Sequence, residues 1–206
     1  MSSRLRSCGA TGRLEILHLR ALVGDEKYVR GCEISMGLAK RVGQTPQLLT
    51  LRGECLLYTG SATAARSHLQ KALREDPDNN RAQVLYKRLR KLEAAKEAAN
   101  DLYKKGKYVD ACEAYAEALE VDPSNKEYNA NLHCNKVDCT KKCSWFHREG
   151  AQQRLHSGQA NAELKTKQYA EAMADANAAI GLVPGYAKAF AVRAEVMGRG
   201  AAHLNT

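Results

Sequence analysis

Residues 92–125 read LEAAKEAANDLYKKGKYVDACEAYAEALEVDPSN. Ala95, Ala98, Ala99 and Leu102 recur at spacings of three and four, which gathers them on one face of a 3.6-residue turn. Ala111, Tyr115, Ala118 and Leu119 do the same after the break at Lys105-Gly106-Lys107. Gly106 can take the positive φ that ends a helix, and Asp122-Pro123 stops the second run, because proline disfavours helix in the residue before it. The stretch therefore predicts one helical hairpin. Alanines at the crossing let the two backbones approach, and Tyr115 fills the space beside them.

The same frame recurs on both sides. Pro46–Asn79 places Gly53 where Ala99 stands, Gly60 at a turn, Ala65, Leu69 and Ala72 in a second helix, and Asp76-Pro77 at its end. Pro46 suits a first helical residue. Nearer the N-terminus, Leu14, Leu17 and Leu19 begin a helix, Gly24-Asp25 makes a turn and Tyr28–Arg41 a second helix. Tyr28, Gly31 and Leu38 there precede Ala62, Ala65 and Ala72 by thirty-four residues. Residues 1–11, basic and Ser/Gly-bearing, are expected to be disordered. From Ala65 to Ala111 the offset is forty-six, twelve beyond one repeat, so about three helical turns are inserted. Arg81–Lys105 contains no Gly or Pro and is expected to be one long helix joining two sub-arrays. Its apolar stripe would be Val84, Leu85, Leu89 and Leu92, and Lys87, Arg88, Arg90 and Lys91 its solvated face.

A fourth hairpin, within residues 126–186, is interrupted. Removing residues 137–159 would join Lys136 to Ala160 and restore the frame through Tyr169, Ala172, Ala179 and Pro184. The flanks are compatible with a retained in-frame intron, since valine codons begin with GT and a glutamine codon can end in AG. Two registers compete for the first helix here. One uses Leu132, His133 and Asn135 and loops out the insertion; the other slides to Leu155 and His156 and puts Gly158 where Asn135 would stand. The second is expected, because a helix cannot cross a looped-out segment without new end caps. The insertion carries Cys139, Cys143 and His147, with Cys134 upstream, a face that could in principle ligate zinc. No second ligand pair follows, so these are expected to be incidental and no metal or cofactor is assigned. Trp145 and Phe146 are expected to pack loosely or stay exposed. Ala187–Arg199 begins another first helix, with Phe190 and Ala194 in its large and small positions, and is expected to cap the last apolar face.

Small, small, aromatic, small and proline at Ala99, Ala111, Tyr115, Ala118 and Pro123 resemble the tetratricopeptide repeat, a thirty-four-residue helix-turn-helix unit. That resemblance implies an all-α fold, a right-handed α-solenoid of stacked hairpins whose concave groove, lined by each first helix, binds peptides. Across Arg52–Tyr108 and Ala160–Ala194 the repeat order and the KEAAN-type helix start look like the repeat-bearing members of the DnaJ family. The J domain of those proteins carries His-Pro-Asp, which does not occur in these 206 residues. J-domain stimulation of a chaperone is therefore not expected of this chain.

Within this frame Lys96, Asn100, Asn135 and Lys188 resemble the two-carboxylate clamp of co-chaperones that grip the acidic C-terminal tails of the seventy- and ninety-kilodalton heat-shock chaperones. Lys96 and Asn100 are four apart and point the same way. The family's fifth contact, an arginine, would fall at Val192, with Arg193 one place off. The resemblance implies charge-assisted hydrogen bonds to carboxylates, each worth roughly 1.5–3 kcal/mol.

Composition limits the alternatives. No apolar run approaches bilayer-spanning length. Seven scattered cysteines with no secretory signal ahead of them fit a reducing compartment, with the cytosol as the default. The net charge of +9 is uneven: residues 1–91 hold 17 basic and 8 acidic side chains, 92–125 hold 4 and 8, and 126–206 hold 11 and 7. The tyrosines sit at repeat positions rather than on an Arg/aromatic platform, so solvated faces and a groove for acidic peptide tails are expected before a nucleic-acid surface. No nucleophile, general-base pair or phosphate-binding glycine loop stands out, so an enzyme is the least expected class. A generic repeat scaffold and an RNA-binding superhelix are the rival readings.

Overall fold

A computed structural model describes the backbone of residues 2–150 and 158–204 and the side chains of residues 12–142 and 167–198. Its elements are the helices α1 (Ser2–Gly24), α2 (Tyr28–Val42), α3 (Pro46–Tyr58), α4 (Ala62–Glu75), α5 (Asn80–Lys104), α6 (Tyr108–Val121), α7 (Lys126–Gly150), α8 (Gly158–Leu182) and α9 (Ala187–Leu204). No strand occurs among the described residues. The chain divides into two compact units, Met1–Arg90 and Lys91–Thr206.

In the first unit α3 is buried on two sides, which is why its sequence is apolar almost all round. Leu48, Leu51 and Cys55 join Leu19, Val23 and Leu38 in one core, while Leu49 and Leu57 join Ala65, Leu69, Ala72, Ala82, Leu85 and Leu89 in another. The small positions have the expected cause. A Cβ on Gly53 would lie 2.8 Å from Leu69 Cγ, and one on Gly31 2.6 Å from Cys55 Sγ. Pro46 opens α3, with the Thr45 hydroxyl accepting from the Leu48 amide at 3.3 Å.

Turn chemistry follows the glycines at two of the three tight turns. Gly60 and Gly106 have φ of 81° and 76°. At the second, Lys107 N–H reaches Leu102 O and Gly106 N–H reaches Tyr103 O, both at 3.0 Å. This satisfies carbonyls that the helix end would otherwise leave unpaired. The first turn departs from the Gly24-Asp25 expectation: Gly24 is the last residue of α1, and the left-handed residue is Glu26, with φ 58°. Residues 2–11 fall within the stretch expected to be disordered. From Ser2 they are the opening turns of α1, a stretch with no proline to break it and with helix-favouring arginine and leucine.

α5 is continuous, as the offset of twelve predicts, but its buried stripe is Ala82, Leu85, Leu89, Leu92 and Ala99, and Val84 is exposed. Arg88 is likewise no part of a wholly solvated run, since it donates to the Tyr58 hydroxyl at 2.9 Å.

In the second unit α7 packs on α6 and α8, and α9 on α7 and α8. One core holds Ala130, Cys134, Ala179 and Ala189, and another Val137, Ala172, Ala176, Val192 and Val196. Asn125 caps α7 by accepting from the Tyr128 amide at 3.1 Å.

The expected register of the interrupted hairpin does not form. α7 carries Leu132, His133 and Asn135 and runs straight on into the insertion; Gly158 opens α8 instead of replacing Asn135, while Leu155 and His156 lie outside the described residues. Nor is the insertion looped out at Lys136. Val137, Cys139 and Thr140 continue the buried stripe, and Lys141 bridges Asp138 at 2.8 Å and Glu195 at 2.7 Å. Once a helix is nucleated, adding residues costs little, so extending it avoids the unpaired ends that a loop would create. Lys165–Gln168, which precede Tyr169 as the Lys-Gly-Lys turn precedes Tyr108, lie inside α8.

α9 buries Ala189, Val192 and Val196, while Phe190 and Ala194 face outward. In the earlier hairpin the small position, Gly53, packs on the second helix of its own repeat; no described helix follows α9 to receive these two.

Candidate functional site

The four residues expected to form a clamp all lie in the second unit, where Lys188 bonds to Asn135 and Tyr115 bonds to Asn100. α5 presents Lys96 and Asn100 one turn apart, α7 presents Asn135, and α9 presents Lys188. Lys188 Nζ donates to Asn135 Oδ1 at 3.1 Å. The Tyr115 hydroxyl, on α6, donates to Asn100 Oδ1. Lys96 Nζ stands 5.2 Å from the ring centroid of buried Tyr128, a cation–π contact.

The electrostatics favour an anion. Burial, and next the positive charge of Lys188, hold the Lys96 ammonium below its ordinary lysine pKa, with Glu93 opposing. Two cations thus raise each other's energy across the site, a cost that a bound negative charge would relieve. The amide carbonyl oxygens of Asn100 and Asn135 are both engaged by donors from within the protein. What remains for a ligand is N–H: two ammonium groups and the two side-chain amides.

Val192, in the place of the family's arginine, is buried against Val137, Ala172, Ala176 and Val196. Arg193 does not replace it, because its guanidinium lies over the Phe190 ring at 5.2 Å and reaches Asn177 Oδ1 at 3.5 Å.

The other candidates have structural roles or fall outside the described residues. Cys134 and Cys139 are buried. The side chains of Cys143, Trp145, Phe146 and His147 are outside the described set. Among the described residues no cluster of three or more His, Cys, Asp or Glu could hold a metal, and no helix is long and apolar enough to cross a membrane. His133 and Lys136 are turned to α8, where Asp175 takes both at 3.0 and 3.1 Å.

The first unit shows what the same positions do with different side chains. Thr50 and Glu54 stand forty-six residues before Lys96 and Asn100. Thr50 donates to Pro46 O at 2.8 Å and accepts from Asn79. Glu54 is held by Arg81 through two bonds, at 2.7 and 2.9 Å. A carboxylate already paired with its own arginine is no receptor for another carboxylate.

Two site residues escape a reading by pattern. Tyr128 and Tyr115 look like packing aromatics, and both are buried. For Tyr115 a signal exists: the equivalent residue in the second hairpin is Leu69, so the apolar slot does not itself call for a hydroxyl. A buried tyrosine hydroxyl needs a partner.

Hairpins of this geometry, with small residues at the crossings and glycine at the tight turns, define the class: the chain is a tetratricopeptide-repeat array. No protein-family model matches it. It is 36% identical over 149 residues, 72% of its length, to the DnaJ homolog subfamily C member 7 homolog of Schizosaccharomyces pombe. Over 142 residues it is 31% identical to DnaJ homolog subfamily C member 7 of Homo sapiens. A third relative, at 28% over 124 residues, is the DnaJ protein P58IPK homolog of Arabidopsis thaliana. The chain is thus homologous, over most of its length, to the repeat-containing DnaJ C7 and P58IPK proteins, and spans 26%, 29% and 26% of these three. The crystal structure of the P58(IPK) TPR domain shares the fold, with a TM-score of 0.57 at 19% identity over 90% of this chain and 55% of that one.

Proposed function

We propose that the chain is a non-enzymatic co-chaperone-type adaptor whose second unit binds the acidic C-terminal tails of the seventy- and ninety-kilodalton heat-shock chaperones, in the cytosol. The observation that carries this reading is the donor-only cluster of Lys96, Asn100, Asn135 and Lys188, with both amide oxygens already occupied. Such a cluster complements a free terminal carboxylate; a neutral amide cap offers it one carbonyl oxygen, no charge, and N–H groups that meet only other donors. Homology to DnaJ-family repeat proteins supports a chaperone-associated partner. With Val192 buried where a further cation would stand, few anchors remain, and micromolar affinity is expected.

Titration calorimetry tests this. A peptide ending Glu-Glu-Val-Asp should bind as the free acid and fail as the amide, and Lys96→Ala or Lys188→Glu should abolish binding without loss of helicity. Equal binding of the two peptides would overturn the reading.

A further inference from the structure

We propose that Tyr115 is a positioning residue of this site: its hydroxyl, donating to Asn100 Oδ1, fixes that amide with its N–H toward the ligand. The inference rests on the carboxylate reading of the cluster. An asparagine amide has an acceptor end and a donor end of nearly the same shape, and only its partners decide which end faces the groove. Asn100 sits half-buried beside Lys96 on α5. Without a donor behind it, its carbonyl could turn outward to accept from a cation and would then repel a carboxylate. The Tyr115 hydroxyl removes that option. Asn135 is held by Lys188 Nζ, which donates to its oxygen at 3.1 Å. Lys188 thus ties α9 to α7 through Asn135, and Tyr115 ties α6 to α5 through Asn100. Burial pushes the Tyr115 pKa up to about 12, so the hydroxyl keeps its proton, the form that can donate to Asn100, throughout the neutral range. The ring packs where Leu69 packs in the first unit, so the hydroxyl is the part that the fold does not require.

Tyr115→Phe in the full chain keeps the ring and removes only that oxygen. Without any ligand, the side-chain amide signals of Asn100 in a nitrogen–proton correlation spectrum should shift and broaden in the variant; unchanged signals would overturn the proposal. With the free-acid tail peptide, affinity should fall roughly tenfold, the 1.4 kcal/mol equivalent of one bond. The preference for free acid over amide should shrink with it, at an unchanged melting temperature. An equal loss for both peptides alongside a lowered melting temperature would make Tyr115 merely structural. If the unaltered chain shows no preference for the free acid, the carboxylate reading fails, and the amide signals still decide the role of Tyr115.

Discussion

The hairpin of α5 and α6 and the hairpin of α7 and α8 share a repeat frame and solve it differently. The first closes through Gly106 in a three-residue turn. The second, carrying residues 137–159, has two helices of 25 residues each, Lys126–Gly150 and Gly158–Leu182. Yet Ala172 and Ala179 stay buried like Ala111 and Ala118, and Asn135 still meets Lys188. Packing at the crossing keeps the repeat register while both helices lengthen.

Val137→Asp gives the largest expected effect. Val137 is the first inserted residue and is fully buried in the core with Val192 and Val196. An unpaired carboxylate there should cost about 3 kcal/mol or more in urea-induced unfolding. A variant as stable as the unaltered chain would mean that the insertion leaves the array at Lys136, and the contrast between the hairpins would disappear.

A smaller pair of effects sharpens the comparison at the turn itself. Gly106→Val forces a β-branched residue to positive φ and should cost on the order of 1–2 kcal/mol. Lys167 occupies the equivalent frame position but is helical and exposed, so Lys167→Gly should cost about 1 kcal/mol through lost helix propensity. Were residues 165–168 a turn, the second substitution would be neutral or stabilising. Thermal unfolding of both variants distinguishes the cases.

Deleting residues 137–159 should have the smallest effect on binding. Because Asn135 keeps its place despite the insertion, affinity for the acidic tail should stay within about threefold, read by the same calorimetry. A large gain on deletion would instead mean that the insertion withdraws Asn135 from the groove.

The crossing alanines, the turns at Gly60 and Gly106 and the long α5 were legible because each depends on local spacing or on a frame that repeats. Ala99 and Ala111 must be small wherever two helices cross there, and Lys96 and Asn100 share a face on any helix. The errors fell where two local solutions have similar energy. Val84 and Leu85 both suit an apolar stripe, and only packing shows that Leu85 is buried while Val84 is exposed. The insertion is the same problem on a larger scale: looping out, sliding and extension all satisfy its backbone.

By itself, then, the sequence determined the repeat, the positions of the hairpin crossings and the shared helix face of Lys96 and Asn100, since these follow from periodicity and residue size. Only the tertiary structure decided that the insertion lengthens α7 and α8, that Val192 is withdrawn into the core, and that the Tyr115 hydroxyl stands behind Asn100. Those outcomes depend on which of several sterically allowed partners lies across a helix interface, and residues far apart in the chain, such as Asn135 and Lys188, settle that only when they are brought to 3.1 Å.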